Sequence, residues 1–153
     1  MHLNSKILIH RNPEHVWAYL GNHANVPVWD RGVVRTRPNP DTAPGVGFEF
    51  ETFRDPAGSG SEADRGRMSY RVTRTDLVEG CVVQLTSSDG NARYFKEAEW
   101  RFRVDPAPEG AVVMCSAHFR LRFRYLFLGP VLFVMRHAIH QDLVSLKRAL
   151  ENG

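Results

Sequence analysis

The stretch from Leu128 to Gly153, "LGPVLFVMRHAIHQDLVSLKRALENG", constrains this fold more than any other. Apolar side chains recur at Leu132, Met135, Ile139, Leu143, Leu146 and Leu150, in the steps of three and four residues that define a helical stripe. Pro130 suits a first helical turn, where its missing N–H costs little. Lys147 and Arg148 lie in the last turns, where cations meet the negative helix end, and Gly153 marks the stop. At roughly 100° per residue, Arg136 projects about 40° from Leu132 and borders the buried side. Asp142 and His140 flank that side more widely, while His137, Gln141 and Arg148 face away. Arg136 is therefore either a snorkelling side chain at the rim of a core or a cation turned toward a ligand.

The rest of the chain shows what such a stripe can be buried against. "SKILIHR" (Ser5 to Arg11) reads as a first strand. In "NPEHVWAYL", Asn12 is a good N-cap, Pro13 takes the first helical position and Glu14 favours the positive end; Gly21 ends that helix. "NHANVPVW" is Pro-broken and predicts a second short helix or turn. Six strand-like runs follow, most of them alternating apolar and polar residues, as in a sheet with one wet side. They are "GVVRTRP", "GVGFEFETFR", "GRMSYRVTRT", "CVVQLTS", "YFKEAEWRFRV" and "GAVVMCSAHFRLRF". Turn chemistry separates them: "SSDGN" (Ser87 to Asn91), "DPAPEG" (Asp105 to Gly110) and a long connection from Asp55 to Gly66. One strand, two short helices, six strands and a long helix predict an α+β fold with the helices on one face of an antiparallel sheet. Several inward positions are small or polar: Ser5, Thr36, Thr52, Ser87, Ala98 and Ala117. That pattern tolerates a cavity between sheet and helix.

The chain has 153 residues, 42% of them hydrophobic, and fits a single domain, 1–153, with a real core. The apolar run from Tyr125 to Met135 falls far short of the ~20 residues needed to cross a bilayer. "MHLNSKILIHR" lacks a signal-peptide pattern, so a cytoplasmic protein is expected. The net charge of +3 and pI near 9.1 are mildly basic. The arginines alternate with apolar residues, as in "HFRLRFR", which favours a solvated sheet face over a nucleic-acid surface. Cys81 and Cys115 show no CxxC or zinc spacing and read as free, buried thiols. "HAIH" places His137 and His140 three apart without further zinc ligands. "GVG" and "GSG" are not followed by a helix, and no nucleophile elbow or Ser-His-Asp set stands out. No metal and no cofactor are expected.

Three segments carry a family resemblance. "HRNPEHVWAYLGNHANVPVWDRGV", "GRMSYRVTRTD" and "HQDLVSLKRALEN" resemble the opening, a middle strand and the end of the long helix in the SRPBCC superfamily, and more narrowly its polyketide cyclase/dehydrase branch. These motifs record packing, so Trp17, Trp29 and Leu146 read as structural. The resemblance implies the helix-grip fold of START domains and the birch-pollen allergen: a seven-stranded curved antiparallel sheet around a long C-terminal helix, with two short helices after strand 1. In that strand order Cys81 and Cys115 are separated by another strand, too far apart for a disulfide at ~4.8 Å per strand.

A deep cavity between sheet and C-terminal helix is implied too, holding apolar or aromatic ligands such as lipids, sterols or polyketide chains. Its wall would include Trp29, Phe50, Tyr94, Trp100, Phe119, Leu132, Met135 and Ile139. Cyclases of this branch need an enolate stabiliser and a proton carrier. The resemblance of "SYRV" maps their pocket arginine onto Arg71, whereas alternation points Tyr70 inward and Arg71 outward; a bulge would reconcile the two, and both stay candidates. Arg136 and His140 are the candidates from the long helix. Tyr94 and Lys96 share an inward parity, with Lys96 at the pocket mouth or in solvent, His118 points away, and Asp30 reads as a turn residue or a group at the pocket entrance. The expected function is a metal-free enzyme promoting cyclisation or dehydration of an apolar or polycyclic substrate. The alternative is a non-catalytic carrier or sensor of a hydrophobic ligand; a weaker third is a partner-binding module using the arginine-rich outer sheet. A hydrophobic small molecule is the expected partner, with no nucleic acid and no membrane span, and the protein would be a monomer or homodimer.

Overall fold

The computed structural model describes residues 1–54, 67–87 and 90–153. Strand β1 (His2–Ile9) opens the chain, three residues earlier than the alternation of "SKILIHR" suggests. Helix α1 (Pro13–Gly21) starts where its cap lies: the Asn12 side chain accepts the Glu14 backbone N–H at 2.8 Å. A single 3-10 turn (His23–Asn25) leads into the short helix α2 (Val26–Trp29). Six strands follow: β2 (Arg35–Pro38), β3 (Glu49–Phe53), β4 (Met68–Asp76), β5 (Gly80–Leu85), β6 (Phe95–Ala107) and β7 (Gly110–Leu121). A 3-10 segment (Phe123–Leu128) then hands over to helix α3 (Gly129–Asn152).

All seven strands form one antiparallel sheet in the order β1-β7-β6-β5-β4-β3-β2. The first strand thus closes onto the last, and β2, after the two short helices, forms the opposite edge. Helix α3 lies against β1 and α2. Leu143, Leu146 and Leu150 of its C-terminal half are buried with Ile9, Val16, Ala111 and Val113, each such side chain contributing ~2 kcal/mol in area terms. The turn of the β6–β7 hairpin packs closely against the end of β1. There Gly110 takes φ 151°, and a Cβ on it would run into the Ile9 carbonyl oxygen.

Alternation holds in most strands and breaks at two bulges. In β4 the register shifts between Val72 and Arg74. The parity of Met68, Tyr70 and Val72 is inward up to that point, and beyond it Thr75 reaches the cavity. The bulge therefore lies past Arg71 and does not turn it in. In β6 the register shifts between Phe95 and Glu97, which leaves Lys96 exposed and brings Phe95 to the interior. A third departure is β7, which ends at Leu121, so Phe123 lies in the 3-10 segment and is exposed rather than inward. The outer sheet face is the solvated one: Arg37–Glu51 (2.9 Å), Arg71–Glu49 (2.6 Å) and Arg103–Asp105 (2.9 Å) pair along it. The turn read at Ser87–Asn91 and the connection read at Asp55–Gly66 fall wholly or partly outside the described residues. Among the described residues no helix is long and apolar enough to cross a membrane.

Candidate functional site

Between the concave sheet face and the first half of α3 lies a cavity of 1330 Å³. Its floor is a run of aromatic rings crossing neighbouring strands. Phe48 stacks on Phe50 (6.0 Å), Phe50 on Tyr70 (5.5 Å), and Tyr70 meets Trp100 edge-on (5.3 Å). Trp100 in turn packs edge-on against the fully buried Phe119 (5.3 Å). These ring geometries are favourable beyond simple area burial. Trp29, Phe50, Tyr94, Trp100, Met135 and Ile139 line the cavity. Phe119 and Leu132 are buried in the core beneath it instead.

Polar groups gather on one wall. Tyr70 comes from β4, Thr52 from β3, Asp30 from the end of α2, Arg54 from just past β3, and Asp142 from the middle of α3. Asp30 Oδ1 accepts the Gly32 backbone N–H at 2.9 Å, and Asp142 Oδ1 accepts that of Arg31 at 3.2 Å. The short loop after α2 thereby holds both carboxyls. A Cβ placed on Gly32 would sit 3.3 Å from an Arg54 guanidinium nitrogen and 3.4 Å from Asp30 Oδ1. Gly32 thus leaves room for that cation and carboxyl to approach each other.

The electrostatics follow from burial. Burial pushes Asp30 above the usual carboxylate range, against the pull of the Gly32 N–H and the Arg54 charge. Burial, then the Asp30 charge, raises Asp142 to about 6, against the Arg31 N–H. The Tyr70 phenol is pushed up by burial and by Asp30, with the Thr52 side chain and Arg54 opposing. Cys115 is raised to about 12 by burial and by both aspartates, and burial raises Cys81 to about 11. Both thiols are free and flank Phe102 across β6, so they belong to the cavity wall and form no bridge. The Trp29 indole N–H, also on the wall, is buried without a hydrogen-bond partner.

The structure divides the candidates read from the sequence. Tyr70 faces the cavity. Arg71 points out of the sheet, where its guanidinium holds Glu49. Arg136 and His140 lie outside the cavity, in a surface groove with Ser5, Lys6, Met114 and Phe133, and His140 Nδ1 is 3.0 Å from the Ser5 hydroxyl. His137, expected to face away, touches both the groove and the cavity. His118 points outward against His2 (3.1 Å), in line with its parity. Asp30, read chiefly as a turn residue, is instead a buried cavity group. Arg54 and Asp142 were missed as site residues. Arg54 ends the run "GVGFEFETFR" at the inward parity of Phe50 and Thr52, a signal that was available, and Asp142 stood out only as a flank of the helical stripe. Among the described residues no three His, Cys, Asp or Glu side chains are grouped to hold a metal ion.

Comparison with known proteins agrees with this architecture. The structure of Ara h 8.0201 superposes with a TM-score of 0.74 at 8% identity, covering 100% of this chain and 99% of that one. Truncated norcoclaurine synthase from Thalictrum flavum gives 0.71 at 11% identity, over 98% and 92% of the two chains. The di-domain ARO/CYC StfQ from the steffimycin biosynthetic pathway gives 0.72 at 13% identity, over 95% of this chain and 49% of that one. At such identities the likeness is one of fold. No protein of curated function matches in sequence. Residues 1–151 match the family model described as "Polyketide cyclase / dehydrase and lipid transport", and the chain belongs to that family of cyclase-like and ligand-binding proteins.

Proposed function

We propose that this protein is a cytoplasmic, single-domain enzyme of the cyclase/dehydratase type, acting on an apolar, oxygen-bearing substrate such as a polyketide-like or polycyclic intermediate. The observation that carries the reading is the polar wall of an otherwise aromatic cavity, with two carboxyls, a guanidinium and a phenol in one electrostatic neighbourhood. A carboxyl whose proton affinity is lifted to about 6 is suited to acid–base work near neutral pH. Asp142 as base removes the proton α to a substrate carbonyl. Arg54 holds the enolate oxygen that results. After the enolate carbon attacks a second carbonyl, protonated Asp142 returns its proton to the new alkoxide. For loss of water Asp142 removes a second α-proton and passes it to the leaving hydroxyl, while the Tyr70 phenol hydrogen-bonds that oxygen. The aromatic floor sets the fold of the chain being closed. Two unbridged thiols in the wall suit a reducing compartment.

Incubating the protein with a poly-β-ketone surrogate, followed by product analysis, tests this. Turnover lost in Asp142→Asn and in Tyr70→Phe, with neither unfolding midpoint lowered, supports the enzyme. Tight retention of unaltered ligand by wild type and both variants assigns the protein as a carrier instead. Native mass spectrometry of the protein from its own host reads the same distinction on the natural ligand.

A further inference from the structure

The first turns of α3 and the 3-10 segment before them carry an apolar surface that the fold leaves uncovered. Phe123 is 90% exposed, Phe127 73%, Val134 70% and Phe133 67%, with Leu126 and Val131 also exposed. An outward helix face in a water-soluble domain is ordinarily polar, as it is further along α3 at exposed Arg148, whereas Gln141, read from the sequence as facing away, lines the cavity. Here Phe133 and Val134 occupy that face while Leu132 and Ile139 fill the buried one. Six large apolar side chains within twelve residues form the kind of patch that marks an interaction site.

Its surroundings specify the partner. From Gly110 to Gln141 the chain has four arginines, three histidines and no carboxylate side chain. Phe133 shares its surface groove with Lys6, Arg136 and His140. Tyr125 packs beside Phe127 (6.5 Å) and against Tyr94 (5.0 Å), whose hydroxyl accepts from exposed Arg93 at 2.7 Å. Exposed Arg124 lies within the patch itself. Aromatic and aliphatic side chains ringed by cations and tyrosines are what an interfacial membrane anchor presents to an anionic leaflet. A second copy fits poorly. A two-fold contact would set this arginine-rich rim against itself, and Glu97, across the ladder, is already engaged by Arg120 at 3.5 Å.

We infer that this face docks peripherally onto an anionic lipid bilayer, with Phe123, Phe127 and Phe133 entering the headgroup boundary and Arg93, Arg124, Arg136 and Lys6 meeting lipid phosphates. Val134 and His137 line the cavity as well as this surface, so docking brings the cavity rim to the membrane. The test is co-sedimentation of the full chain with phosphatidylcholine vesicles, with and without phosphatidylglycerol. Wild type binds the anionic vesicles and releases at high salt. Phe123→Ser/Phe127→Ser and Arg124→Gln/Arg136→Gln each weaken binding by about tenfold or more, with circular dichroism unchanged. Hydrogen exchange of the wild type gives a readout free of any folding defect: amides 123–134 gain protection when anionic vesicles are added. Absence of wild-type binding, equal binding to neutral vesicles, or a solution dimer dispersed by the phenylalanine substitutions overturns the inference, the last assigning the face to a second copy.

Discussion

Replacing Asp142 by asparagine isolates the electrostatics of the polar wall. The carboxyl is lifted from 3.8 to about 6, first by burial and then by the Asp30 charge. The folded protein therefore favours its protonated form. Between those two values the folded state keeps a proton that the unfolded chain has released, so stability falls as pH rises through that interval and levels off above it. Full conversion of the difference gives ~3 kcal/mol. The side chain is half-buried, and solvent screening reduces this to ~1–2 kcal/mol. Asparagine keeps an acceptor for the Arg31 N–H and removes the charge. Asp142→Asn should thus be more stable than wild type by ~1–2 kcal/mol at neutral pH, with the gain vanishing toward about pH 4. Urea unfolding followed by tryptophan fluorescence across that range measures it. In Asp30→Asn the wild-type slope should shrink, because the second cause of the Asp142 shift is gone and the two groups titrate as a pair. A variant that runs parallel to wild type across the window, or falls below it at neutral pH, refutes the reasoning.

Other consequences follow from burial and pairing. Leu146→Ala empties a fully buried site on α3 and should cost ~2–5 kcal/mol in chemical denaturation. Cys81 and Cys115, raised to about 11 and about 12, should resist Ellman's reagent at neutral pH until the protein is unfolded; a fast native reaction would place a thiol outside the wall. Arg71→Gln breaks an exposed pair with Glu49 and should leave both the melting temperature and ligand occupancy at wild-type values, separating it from Tyr70. Asn12→Ala removes the cap acceptor of α1 and should lower stability by ~1 kcal/mol in thermal unfolding.

The fold was legible because period-2 and period-3.6 patterns record which side is dry, and nearly every element here has one wet side. Tyr70, Phe50 and Trp100 could be read as inward from alternation alone. Alternation misled where a strand ended early, at Phe123, and where a bulge intervened. Lys96 and Phe95 exchange roles because one extra residue in β6 flips the parity, and neither residue type signals that insertion. Of the two alternatives on β4, Arg71, suggested by the resemblance, faces outward: the β4 bulge exists, but it falls beyond the position where it would have turned Arg71 inward.

The helix shows a deeper limit. Arg136 and Asp142 stand three residues before and after Ile139, so at roughly 100° per residue they flank the buried stripe by about 60° on opposite sides. Local sequence gives the two flanks equal standing. The sheet does not. Helix α3 lies along β1, the closed edge of the strand order, so one flank meets β1 and solvent while the other overhangs the strands that curve away toward β2. Arg136 therefore ends beside Lys6 and Ser5, and Asp142 ends beside Asp30 and Arg31. Which side of an amphipathic helix roofs a cavity is set by the direction in which the helix crosses the sheet, a nonlocal quantity. The charge of the flanking residue does not reveal it. A carboxyl on the cavity flank reads as an ordinary surface residue in the sequence, and becomes a candidate acid–base group once the α2 loop closes over it with the Arg31 N–H.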